Sequence, residues 1–126
     1  MSIVLDAGAL LAVERGDRDM IAIVKRERLE NRAPLTHGGV IGQVWRGGHG
    51  RQANLSRLLS GVDVHAIDQD AGRRAGILLG EAGSDDVIDA ALVLLAHDGD
   101  EIFTSDPGDL RALAQVADRH VDLIRV

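Results

Sequence analysis

The side chains best suited to chemistry are aspartates in three separate segments. Asp6 directly follows the apolar run 2–5 (SIVL). Asp85, Asp86 and Asp89 lie where an apolar-striped helix begins, and Asp106 and Asp109 follow the run 102–105 (IFTS). Asp85 and Asp86 stand four and three residues before Asp89, which places them on nearly one side of a helix. Carboxylates drawn together repel and resist full ionisation unless a cation compensates. Hard divalent ions such as Mg²⁺ and Mn²⁺ prefer oxygen ligands. An ion held this way can activate a water and stabilise the charge of an in-line phosphoryl displacement. No rival constellation competes: there is no cysteine, and His37, His49, His65, His97 and His120 show no paired ligand spacing.

Each acid also has a local explanation. Asp6 could cap the helix after the first strand, and Asp106 with Asp109 reads as an N-cap and its N3 partner. Asp85 and Asp86 suit the first turn of a helix through its dipole, and Asp89 could be a polar position beside an apolar stripe. The functional reading therefore rests on the joint placement of the acids.

That placement requires alternating strands and helices whose strand ends coincide. Residues 2–5 read as a buried strand, 7–14 as a helix and Gly16-Asp17 as a break. A second helix over about 18–31 carries Met20, Ile21, Ile23, Val24 and Leu29 as its stripe. Pro34-Leu35 suggests a brief strand, with Thr36 as N-cap of a helix bearing Val40, Ile41, Val44 and Trp45 on one face. The sequence GGHG at 47–50 ends it, and a short helix with Leu55, Leu58 and Leu59 follows. Residues 62–67 alternate as a strand, Asp68 caps a helix over about 69–82, and Ser84 caps one carrying Ile88, Ala91, Leu92 and Leu95. Residues 101–104 form a strand, Asp106-Pro107 opens a helix, and 121–126 closes the chain as a strand. The pattern predicts one α/β domain over 1–126, a three-layer sandwich with a mostly parallel central sheet and helices on both faces. Ligands in such sheets bind beyond the carboxyl ends of the strands.

The composition admits this. At 126 residues and 45% hydrophobic, the chain can bury a core. The absence of cysteine excludes a thiolate zinc site and suits a reducing cytoplasm, and no segment is apolar enough to span a membrane. A net charge of −6 argues against a phosphate-binding surface, yet between 44 and 59 the only charged residues are Arg46, Arg51 and Arg57.

The segment IVLDAGALLAVERGD resembles the opening of PIN-domain nucleases, and VIDAALVLLAHDGDEIFTSDPGDLRAL resembles their closing half. The likeness runs through nearly the whole chain and is greatest to VapC toxins of type II toxin–antitoxin pairs. It implies that Asp6 and Asp89 are metal ligands, that Asp106 is a further acid acting directly or through water, and that Asp109 assists; Asp86, by its spacing from Asp89, is a candidate additional acid beside Asp109. It further implies Mg²⁺- or Mn²⁺-dependent endoribonuclease action on RNA, a cognate antitoxin and a homodimer. One position departs: where the family usually carries glutamate, in the segment VIGQVWRGG, this chain has Gln43. The amide keeps an oxygen but loses a charge, which motivates a second reading, a catalytically weakened PIN domain acting as a binding module. Haloacid-dehalogenase enzymes also place an aspartate after the first strand but want another two residues on, where this chain has Gly8.

On the substrate side, Arg46 and Arg51, with Arg57, could clamp an RNA backbone beside the metal or be solvated loop residues. Trp45 shares the spacing of Val40, Ile41 and Val44 and is assigned to the core ahead of base stacking. The apolar surplus around Leu10, Leu11, Val13, Ile21, Ile23 and Val24 would either receive an antitoxin helix or serve packing and dimerisation.

Overall fold

Five short strands and seven helices alternate along the computed structural model, which describes residues 1–126. In chain order they are β1 (Ile3–Leu5), α1 (Ala7–Glu14), α2 (Arg18–Leu29), β2 (Leu35–His37), α3 (Gly38–Val44) and α4 (Ala53–Leu59). Then follow β3 (Asp63–His65), α5 (Gln69–Ala82), α6 (Val87–Leu95), β4 (Glu101–Thr104), α7 (Pro107–Val116) and β5 (Asp122–Arg125). The sheet order is β3-β2-β1-β4-β5, and every pairing is parallel. The sheet is thus wholly parallel, not mostly so, within the expected PIN-like sandwich.

The order fixes where a site can form. Connections β1→β2→β3 step one way across the sheet, whereas β3 crosses to β4 on the other side of β1 and steps on to β5. Right-handed crossovers then lay α1–α4 over one face and α5–α7 over the other. Contacts agree: α1 packs on α2, α3 and α4, while α5, α6 and α7 pack on one another. The direction reverses between β1 and β4, so the crevice opens beyond Leu5 and Thr104. One cluster of 25 buried residues forms the core, with Val4, Leu5, Leu10, Leu92 and Ile102 fully enclosed. The central strands are apolar throughout because both faces are covered; edge strand β3 is exposed along its length.

Several local expectations change. Thr36 is not a cap: it lies in β2, and its hydroxyl donates to the Leu5 carbonyl. His37 takes the cap of α3, its Nδ1 accepting from Gly39 and Val40 N–H. Ser84 also yields its place, since the carboxylate of Asp86 caps α6 by accepting from Asp89 N–H. Leu29, in the last turn of α2, is 85% exposed, beyond the stripe that Met20 and Val24 bury. Trp45 ends α3 at the surface, 37% exposed, and does not enter the core. The third strand is shorter than its alternation suggested: it pairs only along the three residues of β2.

Leu92→Ala should therefore cost about 2–5 kcal/mol, whereas Leu29→Ala should stay within about 0.5 kcal/mol of the parent. Denaturant melts of both variants read the contrast directly.

Candidate active site

Asp6, the first residue beyond β1, is buried and doubly held. Its Oδ1 accepts from Ala7 N–H (2.7 Å), capping α1, and its Oδ2 accepts from the Thr104 hydroxyl (2.8 Å) at the end of β4. Thr104 Oγ1 in turn accepts from Asp106 N–H (3.0 Å), so one hydroxyl joins the first and third acid segments. The join is tight: a Cβ on Gly8 would lie 2.6 Å from Ser105 Oγ and 2.7 Å from its backbone nitrogen. Position 8 tolerates only glycine, which also removes the place a dehalogenase's second aspartate would occupy.

The middle acids arrive on α6. Asp86 Oδ1 accepts from Asp89 N–H (3.0 Å). Asp85, Asp86, Asp89 and Asp109 line one open pocket of about 350 Å³ between the C-terminal end of α5, the start of α6 and α7. Burial pushes the half-buried Asp89 carboxyl up to about 7, reinforced by the charges of Asp86, Asp6 and Asp109 and by a hydrogen bond with Asp86. A hydrogen bond with Asp106, then its charge, raises exposed Asp109. Asp106 opens α7 yet makes no capping hydrogen bond with its side chain. Asp6, Asp86, Asp89, Asp106 and Asp109 are thus one electrostatic group, and no arginine, lysine or histidine forms an ion pair with any of them. As the side chains stand, no three acids or imidazoles converge closely enough to enclose an ion. The donor set is nonetheless all carboxylate oxygen, with Asp86, Asp89 and Asp109 open to the pocket and Asp6 and Asp106 at the strand ends, chemistry that suits a hard cation keeping several waters.

His37 is a member that sequence reasoning passed over. It is buried at the end of β2, and its Nε2 donates to the Ile88 carbonyl (2.9 Å), one residue before Asp89. With Nδ1 accepting from backbone N–H groups, the ring is the neutral Nε2–H tautomer. Burial lowers its pKa, against the opposing pull of the Ile88 carbonyl and the Asp6 charge. His37 and Thr104 thereby orient the acid segments. A lone histidine and a strand-end threonine carry no spacing signal; only the tertiary fold reveals them.

Other expected residues lie apart. Gln43 is exposed on α3, and its side chain bonds none of the acids. The Arg46 guanidinium folds back on the carbonyls of Gly42, Gln43 and Trp45, and Arg51 is exposed. Two further acids serve the turns at the opposite end of the sheet: Asp100 accepts from Ser2 and His97 N–H and Asp98 from His120 N–H. A second concavity of about 380 Å³ lies between α1, α2 and α4, with Val13, Ile21, Val24 and Leu58 as its floor and Lys25, Arg28 and Arg57 on its rim. No helix is long and apolar enough to cross a membrane.

No family model and no curated protein matches this sequence. Among solved structures, the fold resembles a chain of the crystal structure of VapBC2 from Rickettsia felis bound to a DNA fragment from their promoter. The TM-score is 0.70 at 11% identity, over 98% of this chain and 98% of that one. At that identity the likeness establishes a shared fold.

The Asp89 shift has a stability consequence with a definite sign. Its folded value of about 7 lies above the ordinary value of about 4, so between them the folded state binds more protons than the unfolded. Metal-free protein should lose stability as pH rises through that window. Asp89→Asn should flatten the loss and raise the melting temperature most above neutrality, as melts across pH in chelator would record.

Proposed function

We propose that this chain is a metal-dependent endoribonuclease, the toxin of a toxin–antitoxin pair. The observation that carries the reading is the group of five electrostatically coupled carboxylates, Asp6 and Asp106 beyond the ends of β1 and β4 and the others around the starts of α6 and α7, with no ion pair to a cationic side chain. A purely structural cluster would be paired or dispersed, because uncompensated like charges destabilise the fold. Shared architecture with a VapBC2 chain supports the same reading. Asp6 and Asp89, with Asp106, would hold Mg²⁺ or Mn²⁺, and Asp86 and Asp109 would complete the negative field. When bound, such an ion supplies a water of lowered pKa and neutralises charge developing on a phosphodiester.

The chain's own part is positioning. Thr104 and the Ala7 N–H each hold one Asp6 oxygen and so fix the plane of its carboxylate. His37, neutral and bonded to Ile88, sets the first turn of α6 and with it Asp89. The groove between α1, α2 and α4, apolar below and basic at its rim, fits an amphipathic antitoxin segment bearing acidic residues. RNA as substrate, the homodimer, cytoplasmic location and a single domain over 1–126 belong to the same proposal.

A second reading has its own observation. Gln43 offers an exposed amide where the resembling family usually has glutamate, which would favour a weakened domain that binds and does not cut.

Cleavage of a structured RNA pool by antitoxin-free protein should require Mg²⁺ or Mn²⁺ and vanish in Asp6→Ala. Thr104→Val should cost roughly 10–100-fold by releasing an oriented ligand, and Gln43→Glu should increase the rate. An inert native chain beside an active Gln43→Glu variant would favour the binding module. Inactivity of both would overturn the ribonuclease.

A further inference from the structure

Residues 45–52 contribute little to the core, yet one buried amide holds them in place. Gln52 is 4% exposed and uses its whole hydrogen-bonding capacity there. Its Oε1 accepts from the N–H of Arg46 (2.8 Å) and of Gly48 (3.0 Å). Its Nε2 donates to the Val44 carbonyl (2.9 Å) and to Glu14 Oε1 (2.6 Å) at the end of α1. The staple sets a specific display. Gly48 stands at φ +74°, and a Cβ there would lie 2.3 Å from the Trp45 ring, so the indole rests against bare backbone while 37% of the residue meets solvent. A large aromatic left at the surface, with a buried glutamine fixing the loop beneath it, is arranged for contact from outside.

The surroundings indicate what makes that contact. In a chain of net charge −6, residues 44–59 contain no acid; Arg46, His49 and Arg51 lie within six residues of Trp45, the Arg46 guanidinium held on the carbonyls of Gly42, Gln43 and Trp45 itself. Arg51 has no carboxylate partner. Glycines, a histidine and arginines offer a peptide no continuous apolar surface, whereas a cation-flanked ring suits a base attached to a phosphate. His37, close enough to Asp6 to feel its charge, caps helix α3, and at about 1.5 Å per residue the helix's seven residues place Trp45 about 10 Å from His37 along its axis.

We propose that Trp45, with Arg46 and Arg51, is a nucleobase subsite in which the indole stacks an unpaired base of the bound RNA. The proposal rests on RNA being the substrate and extends it to single-stranded segments, since a base already stacked in a duplex has no free face.

Trp45 is the only tryptophan, so its fluorescence reports this contact alone. The probe is an unstructured oligoribonucleotide, titrated without metal into Asp6→Asn protein, beside the same strand annealed to its complement. Saturable quenching by the single strand and little by the duplex is expected. Trp45→Ala should weaken binding, followed by anisotropy of labelled RNA, roughly 5–100-fold, and Trp45→Phe should restore most of it. Gln52→Ala, which frees the loop but keeps the ring, should reduce both quench and affinity. RNA that binds without altering the fluorescence, binds Trp45→Ala as tightly, or does not bind at all would overturn the subsite. Quenching with no cleavage by the native chain would uphold the subsite and overturn the nuclease; cleavage without quenching would do the reverse.

Discussion

Crowding of negative charge beyond the ends of β1 and β4 is the constraint around which the rest of the molecule is arranged. Five aspartates from three segments share a field in which burial and the neighbouring charges of Asp86, Asp6 and Asp109 hold Asp89 at about 7. A fold can tolerate this only if the segments are held by forces independent of the charge. Here the sheet supplies them. Register pairs Leu5 with Phe103, an apolar strand centre fixes both ends, and Thr104 bridges Asp6 to the backbone of Asp106.

The helices ease the same constraint. Asp6 stands at the N-terminus of α1, Asp86 at that of α6, and Asp106 with Asp109 at that of α7. Three positive dipole ends thus face the acids. At Asp6 and Asp86 one oxygen caps the helix, and each carboxylate still adds its charge to the field at Asp89. Partial positive charge from backbone dipoles lets the acids gather without a lysine or arginine that would occupy the place of a cation.

Much of this was legible in the residues. Apolar runs ending in aspartate, the break at Gly16-Asp17, Asp68 before a helical stripe and Asp106-Pro107 each carry a local physical signal, and the corresponding elements stand within a residue or two of expectation. What failed was local chemistry that tertiary contacts decide. Thr36 and Ser84 look like caps, but the parallel register with β1 takes Thr36 into the sheet, and the better acceptor Asp86 displaces Ser84. Trp45 matched a helical stripe that ends one residue earlier, where Gln52 draws the backbone away from the helix. The site's acids were visible as residues, but their convergence depends on β4 crossing to the far side of β1, which no spacing records. His37 and Thr104 became visible only with that crossing.

The central claim is that these carboxylates are assembled for a cation. Its most direct test is calorimetric titration of the protein with Mn²⁺ just below neutral pH, in two buffers of different ionisation heat. Saturable binding that releases a fraction of a proton, with the release lost in Asp89→Asn and the affinity lost in Asp6→Asn, is the predicted result. Absence of saturable binding, or binding unaffected by either substitution, would contradict the account.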